Sequence, residues 1–383
     1  MSAELAADLR RFEDEGYLVV RGLLDARGDV DPVTRAYDAL IEALCAVYES
    51  GLERPQLTAR EDTSAGERLA FALGASGGEV LWHLAPVLSV FSPTFRWRSD
   101  LPSAQLPELF RLMRNPRLLD RVEALIGPEI YASPIYHLTM KLPRRHLELA
   151  ERIAKQAGRA RPRQAIHYGF EVGQTPWHMD AITGLRDSHD SKIVIAWIPL
   201  STTDRLLGSL LLIPRSHRNG VQGGPYADEL TRQAIEIEAA PGDVVFMDNK
   251  LVHGSSENRS DDGVRWACNL RYLPIGQPDG RPYLPGFVAR SRSAPQLELA
   301  NPYLWMTIWM RALENVSAHE FPVPSVATHR RRAEAITWRW RETVPDVRGW
   351  LRLGEHAPPG VSTRIARQLA AGVGRWLGSA ARR

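Results

Sequence analysis

Apolar residues in the first 125 positions recur at helical spacing, as in TRAYDALIEALCAVYES, apart from one short run, GYLVVRGLL, that reads as a strand. LFRLMRNPRLLDRVEALIG predicts a pair of helices, divided at Asn115-Pro116 and stopped by Gly127. From about residue 130 the texture changes to short β-rich runs punctuated by Gly, Pro, Asn and Asp: YASPIYHLTMKLP, SKIVIAWIPL, GSLLLIPRSH, AIEIEAAPGDVVFMDNKLVHG and VRWACNLRYLP. Strands this closely spaced predict an antiparallel sandwich or barrel rather than βαβ units. Pro241-Gly242-Asp243 supplies a tight turn into the buried run VVFMD. Two further helical patterns stand out. RRHLELAERIAKQAGRARPRQ predicts a basic helix with Leu147, Ala150, Ile153 and Ala154 on one face, and the tail GVSTRIARQLAAGVGRWLGSAARR sets Val361, Ile365, Leu369, Val373 and Leu377 at steps of four.

Composition narrows the class. A chain of 383 residues, 44% hydrophobic and 24% charged, is an ordinary folded protein with room for one large domain or two modest ones. The net charge of +3 is too small to imply nucleic acid, and no nucleic-acid motif accompanies it. Charge is unevenly spread: residues 330–383 hold twelve Arg against four acids, a net of +8, so the preceding residues carry −5. That shift marks off a basic C-terminal segment. The two cysteines, Cys45 and Cys268, form neither a CxxC pair nor a disulfide framework, the N-terminus lacks a secretory pattern, and no apolar run reaches the ~18 residues that span a bilayer. A cytoplasmic location is the expectation. The cationic tail helix, with Arg364, Arg367 and Arg375, could lie on an anionic membrane, but docking on protein is the commoner use of such helices, and Gly372 and Gly374 weaken it.

The candidate chemistry begins at TPWHMDAITG. In an extended strand residues i and i+2 share a face, so His178 and Asp180 can converge on one point, such as a metal ion. A third ligand is needed, and His253 follows at the end of VVFMDNKLVHGSSENRS. Two imidazoles and one carboxylate make a facial triad that leaves positions open on Fe(II), although the same residues serve Zn(II). Twelve residues later comes Arg265, on the strand VRWACNLRY; an inward arginine needs an anion, and its planar fork suits a carboxylate. Arg271 shares its face and competes for that role.

His178-x-Asp180, LLGSLLLIPRSHR, PGDVVFMDNKLVHGSSENRS and Arg265, together with the opening FEDEGYLVVRGLLD, resemble the phytanoyl-CoA dioxygenase family of Fe(II)- and 2-oxoglutarate-dependent oxygenases. The resemblance covers roughly residues 10–275. It implies a double-stranded β-helix (a cupin-like jelly roll) within a mostly β, α+β chain, with His178, Asp180 and His253 on iron. It also implies Arg265 and Ser255 on the distal carboxylate of 2-oxoglutarate, and Trp197 on a strand lining the cosubstrate pocket. The domain expectation is an oxygenase domain over 1–280 (helical N-terminal region 1–128, jelly-roll core 129–275, insertion 142–173) and a helical, basic extension over 281–383. O2 would be the second cosubstrate. Related halogenases carry a small residue in place of the carboxylate, so an intact Asp180 implies hydroxylation of an unactivated C–H bond, with desaturation and cyclisation sharing the same chemistry.

Four features depart from the family pattern: a loop one residue longer between His253 and Arg265, Arg215 where a glycine usually precedes Ser-His, the insertion 142–173, and the segment after about 280. The basic insertion could act as a lid whose Arg144, Arg145 and Arg152 meet an anionic or carrier-linked substrate, or could be a solvated helix. His137 and Lys141 alternate with apolar neighbours and could face the pocket, Gln174 and Asn249 flank the ligands, and His189 and His217 read as loop residues. Two other classes compete with the oxygenase: a non-catalytic jelly-roll binding protein, and a zinc hydrolase on a cupin-like barrel. The latter lacks an evident general base and leaves Arg265 unexplained.

Overall fold

The computed structural model describes residues 3–50, 65–75, 106–156, 172–183, 186–280 and 284–309. The tail with its amphipathic pattern, and residues 157–171 of the insertion, lie outside the described residues.

The N-terminal region is helical, as its periodicity predicts. Helix α1 (Ala3–Glu15) ends at Gly16, whose φ of +80° turns the chain into strand β1 (Tyr17–Val20). Helices α2 (Asp31–Ser50), α3 (Ala65–Ala75), α4 (Pro107–Met113) and α5 (Pro116–Ile126) follow. The break between α4 and α5 has a local cause. The Asn115 side chain accepts from the N–H groups of Arg117 and Leu118 at 3.0 and 3.3 Å, Pro116 occupies the first helical position, and Gly127 ends the helix at φ +99°.

Among the described residues nine strands form two antiparallel sheets. The larger combines β1 with β2 (Glu129–Lys141), β3 (Val194–Pro199), β6 (Val244–Asp248), β8 (Arg265–Pro274) and β9 (Phe287–Ser291), in the order β1-β6-β3-β8-β2-β9. The smaller has β4 (Leu210–Leu212) between β5 (Ile235–Ile237) and β7 (His253–Ser255). Pro134, in the middle of β2, sits where the β2–β8 register shifts between Ala132 and Tyr136, a bulge that spares the ladder a missing donor.

Alternation along β8 gives the large sheet two different faces. Trp266, Cys268, Leu270 and Tyr272 are buried in the main core with Tyr37, Phe110, Leu118 and Val122 from the helices. Arg265, Ala267, Asn269 and Arg271 point the other way. On that inner face Tyr17, Ile195, Trp197, Val245, Met247 and Ala267 pack against Leu210, Leu212 and Ile237 of the small sheet. The register carries the pattern onto β2, where Lys141 lies opposite Arg265, Thr139 opposite Ala267 and His137 opposite Asn269. The inner face is therefore apolar along β1, β6 and β3 and polar along β8 and β2. That polar half is where the site lies.

Two elements beyond the family-like region join this body. Strand β9 pairs with β2, and helical residues 302–309 set Trp305 in the core 5.4 Å from the ring of Phe110, so the sheet runs on past residue 280. The insertion opens with α6 (Arg144–Gln156), which packs on α3 through His146, Ala150, Ile153 and Ala154, with Leu147 only partly buried. Gly74 makes the approach possible, since a Cβ there would lie 2.5 Å from Cβ of Ile153.

Candidate active site

His178 and Asp180 do not lie on a regular strand, as the i, i+2 spacing suggests. His178 forms a single antiparallel bridge to His253, and Asp180 opens a 3-10 turn (Asp180–Thr183). Pro176 cannot donate to a ladder, which confines the pairing to that bridge. The N–H of Ala181 then donates to the Asn249 carbonyl at 2.8 Å and holds the turn against the β6–β7 connection. Convergence survives because the bridge supplies what a strand would have. N–H of His178 donates to O of His253 and N–H of His253 to O of His178, each at 2.9 Å, so the rings stand 4.2 Å apart.

One potential ligand atom from each of His178, Asp180 and His253 lies within 4.8 Å of the other two. Backbone carbonyls orient both imidazoles. Nδ1 of His178 is 2.9 Å from the Pro176 carbonyl and Nδ1 of His253 is 3.0 Å from that of Leu251. A carbonyl only accepts, so Nδ1 carries the proton and the Nε2 lone pair is left for a metal. Burial, reinforced by His253, lowers the His178 pKa to about 4, so the ring is neutral at ordinary pH. Burial pushes the Asp180 carboxyl up, but the charge of Arg271 leads the opposing interactions that hold the group well below the usual carboxylate range. Two imidazoles with Nε2 turned toward an ionised carboxylate fit a divalent first-row ion.

Arg265 and Arg271 separate clearly. Arg271 donates to Oδ1 of Asp180 at 2.9 Å. Arg265 is 2% exposed and meets no acid among the described residues. It donates from Nε to the Gly208 carbonyl at 3.0 Å and from Nη1 to the Thr139 hydroxyl at 3.2 Å, and its guanidinium lies 5.4 Å from the centre of the Trp197 ring. Burial lowers its pKa to about 10, the response of a cation that has lost water without gaining an anion. Ser255 is buried on β7, where its Oγ accepts from N–H of Thr175 at 2.8 Å and keeps its own hydrogen to donate. Lys141, 1% exposed, donates to the Thr175 hydroxyl. The loop before Arg265 is held by Asn258, whose amide donates to the carbonyls of Lys141 and Gly263 at 2.8 and 2.7 Å.

The remaining candidates divide. His137 lies 3.4 Å from Nη2 of Arg271 and so belongs to the site's edge. Asn249 contributes its backbone, as above, while its buried Oδ1 has no partner among the described residues. Gln174 is exposed. Arg144 pairs with Glu148 at 2.9 Å and Arg145 with Asp262, so two of the three lid arginines are engaged on the surface. His217 lies in a 3-10 turn (Ser216–Asn219) against the Glu13 carbonyl, and the residue before that turn, Arg215, adopts the left-handed conformation at φ +65° that a glycine would take freely. Arg215 is held there by its N–H to the Glu15 carbonyl at 2.9 Å and by its fork on the Glu15 carboxylate. Thr139, Thr175 and Asn269 are not evident from the sequence motifs. For Thr139 and Asn269 the signal is the parity of HLTMK against RWACNLR, which puts every second residue of both strands on one face; Thr175 has no such signal.

A family model described as phytanoyl-CoA dioxygenase (PhyH) matches residues 12–267. The peroxisomal phytanoyl-CoA dioxygenase of Rattus norvegicus is 23% identical over 287 residues, 70% of this chain and 68% of that protein. Among solved structures, the apo form of the non-heme monooxygenase ThoJ aligns over 86% of this chain and 98% of its own, with a TM-score of 0.50 and 14% identity, which supports the shared fold. The non-heme alpha ketoglutarate dependent epimerase SnoN from nogalamycin biosynthesis aligns over 74% and 90% at 19% identity and a TM-score of 0.44. Among the described residues no helix is long and apolar enough to cross a membrane. The family match decides against the zinc-hydrolase and scaffold alternatives: the chain belongs to the phytanoyl-CoA dioxygenase family of Fe(II)- and 2-oxoglutarate-dependent oxygenases.

Proposed function

We propose that the chain hydroxylates an unactivated C–H bond of a small molecule, with His178, Asp180 and His253 holding Fe(II) and with Arg265, Ser255 and Trp197 holding 2-oxoglutarate. The observation that carries the reading is a buried guanidinium with no acid beside it among the described residues, on the same polar sheet face that borders a largely buried His-Asp-His cluster. The iron, when bound, supplies the O2 activation that couples conversion of 2-oxoglutarate to succinate and CO2 with oxidation of the substrate.

The chain's residues do the rest. Nε2 of each histidine and the carboxylate bind the ion, while the carbonyls of Pro176 and Leu251 fix the ring tautomers. Arg265 takes the distal carboxylate in bidentate fashion, Ser255 donates its hydroxyl to it, and Trp197 walls the pocket and keeps water off the guanidinium. An ionised Asp180 fills the coordination position that a halide would need, which favours hydroxylation.

The two facing antiparallel sheets are read as the double-stranded β-helix, with the oxygenase domain over 1–280 and the basic segment 281–383 as an extension that contributes β9 and Trp305 to the core. Lys141 and His137 on the polar face suit a substrate with an anionic or carrier-linked group. The absence of a disulfide framework in the sequence favours the cytoplasm.

The test is anaerobic reconstitution with Fe(II) and optical titration with 2-oxoglutarate, on wild type and Arg265→Ala. A visible charge-transfer band in wild type that needs at least tenfold more cosubstrate in the variant is expected from loss of a charged bidentate pair. No band in wild type would reject the reading.

A further inference from the structure

The two arginines of β8 project from the same face, six residues apart, into different surroundings. Arg265 waits for an anion. Arg271 already has one: Nη2 donates to Oδ1 of Asp180 at 2.9 Å, and the two side chains are only 5% and 7% exposed. The same nitrogen lies 3.4 Å from Nε2 of His137 on β2. Oδ1 of Asp180 is in turn 3.7 Å from Nε2 of His178.

Asp180 needs such a partner. It sits at the first position of a 3-10 turn, where the backbone leaves the rotation of the carboxylate plane unspecified, and carboxyl rotation is broad. Arg271 stands on firmer ground. Strand β8 is flanked by β3 and β2 in the middle of the large sheet, and Arg271 is in register with Ile195. A planar guanidinium based on a central strand can impose its orientation on a turn, whereas a turn cannot impose one on a central strand.

We propose that Arg271 is a positioning residue for the metal-binding carboxylate: it transmits the rigidity of β8 to Asp180, fixing its orientation toward His178 and His253 and compensating its buried charge. The inference rests on the reading of His178, Asp180 and His253 as metal ligands. It separates the arginines by task, with Arg265 serving the cosubstrate and Arg271 serving the metal.

The test uses the full chain and Mn(II) alone as probe, with free ion read by electron paramagnetic resonance, so that no turnover is needed. Arg271→Gln should weaken Mn(II) binding about 10–100-fold, the range for losing a partner that orients a ligand. Arg271→Lys should recover part of that loss, and Arg265→Ala should bind Mn(II) like wild type. At saturating Mn(II), the 2-oxoglutarate affinity of Arg271→Gln should stay within about threefold of wild type while that of Arg265→Ala falls. Wild-type Mn(II) affinity in Arg271→Gln overturns the proposal, as does a selective loss of 2-oxoglutarate binding. Should Arg271→Gln lose its cooperative melt, Arg271→Lys decides: Mn(II) affinity and line shape equal to wild type overturn the proposal, and a weaker, altered site supports it. His253→Ala separates this failure from that of the ligand reading. If wild type and His253→Ala bind Mn(II) alike, the ligand assignment falls and takes the inference with it.

Discussion

His178 and His253 exchange backbone hydrogen bonds, each N–H to the other's carbonyl at 2.9 Å, so two side chains seventy-five residues apart in sequence are positioned by a single reciprocal contact. Gly254, next to this bridge, faces the Thr175 carbonyl, which a Cβ would meet at 3.0 Å. Gly254→Ala should press the 175–178 segment away from β7 and spread the imidazoles. The expected result is a loss of about tenfold in kcat/KM, from sub-ångström misplacement, with far-UV circular dichroism unchanged. Full activity would show that the bridge has slack.

Trp197 is placed by β3 over the guanidinium of Arg265, at 5.4 Å. Trp197→Leu keeps an apolar wall but removes the ring's attraction for the cation, worth about 0.5–2 kcal/mol. The KM for 2-oxoglutarate should rise about 3–30-fold, with metal affinity unchanged in the Mn(II) titration.

Asp243 ties the start of β6 to the end of β1. Its carboxylate accepts from N–H of Gly22 at 2.9 Å, N–H of Ala240 at 3.0 Å and Arg21 at 2.8 Å. Burial raises its pKa, but these three donors outweigh that and leave it below the ordinary value. A depressed carboxylate contributes stability above its unfolded pKa of about 3.9 and loses it as pH falls through the folded value. Asp243→Asn should therefore cost about 1–2 kcal/mol at pH 7 in urea denaturation, with the deficit shrinking below about pH 4. A deficit that is constant with pH would assign the effect to packing.

Arg215 holds a left-handed backbone that costs a side-chain-bearing residue about 1–2 kcal/mol. Its fork on Glu15 is exposed to solvent and offsets only part of that cost. Arg215→Gly removes both and should leave stability nearly unchanged. Arg215→Ala removes the ion pair and keeps the strain, so it should melt below Arg215→Gly by about 1 kcal/mol in a thermal or urea titration.

The sequence was legible where a local rule governed the outcome. Asn115-Pro116 and Gly127 punctuate α4 and α5 as their chemistry requires, and VVFMD and VRWACNLRYLP become β6 and β8. It was less legible where tertiary contacts govern. His178 and Asp180 come together through one bridge and a turn, because the small sheet, not a local strand, holds them. FVARS becomes β9 because β2 offers it an edge. The division of labour between Arg265 and Arg271 depends on where Asp180 turns, which spacing along β8 does not encode.

The alternation of β8 makes it a two-channel element. Trp266, Cys268, Leu270 and Tyr272 face the helices, while Arg265, Asn269 and Arg271 face the candidate site, with no residue of either set belonging to both. Changes at the even-numbered positions thus act first on the core, and changes at the odd-numbered ones act first on the candidate site. A one-residue slip in register, by contrast, would exchange the two channels and destroy both.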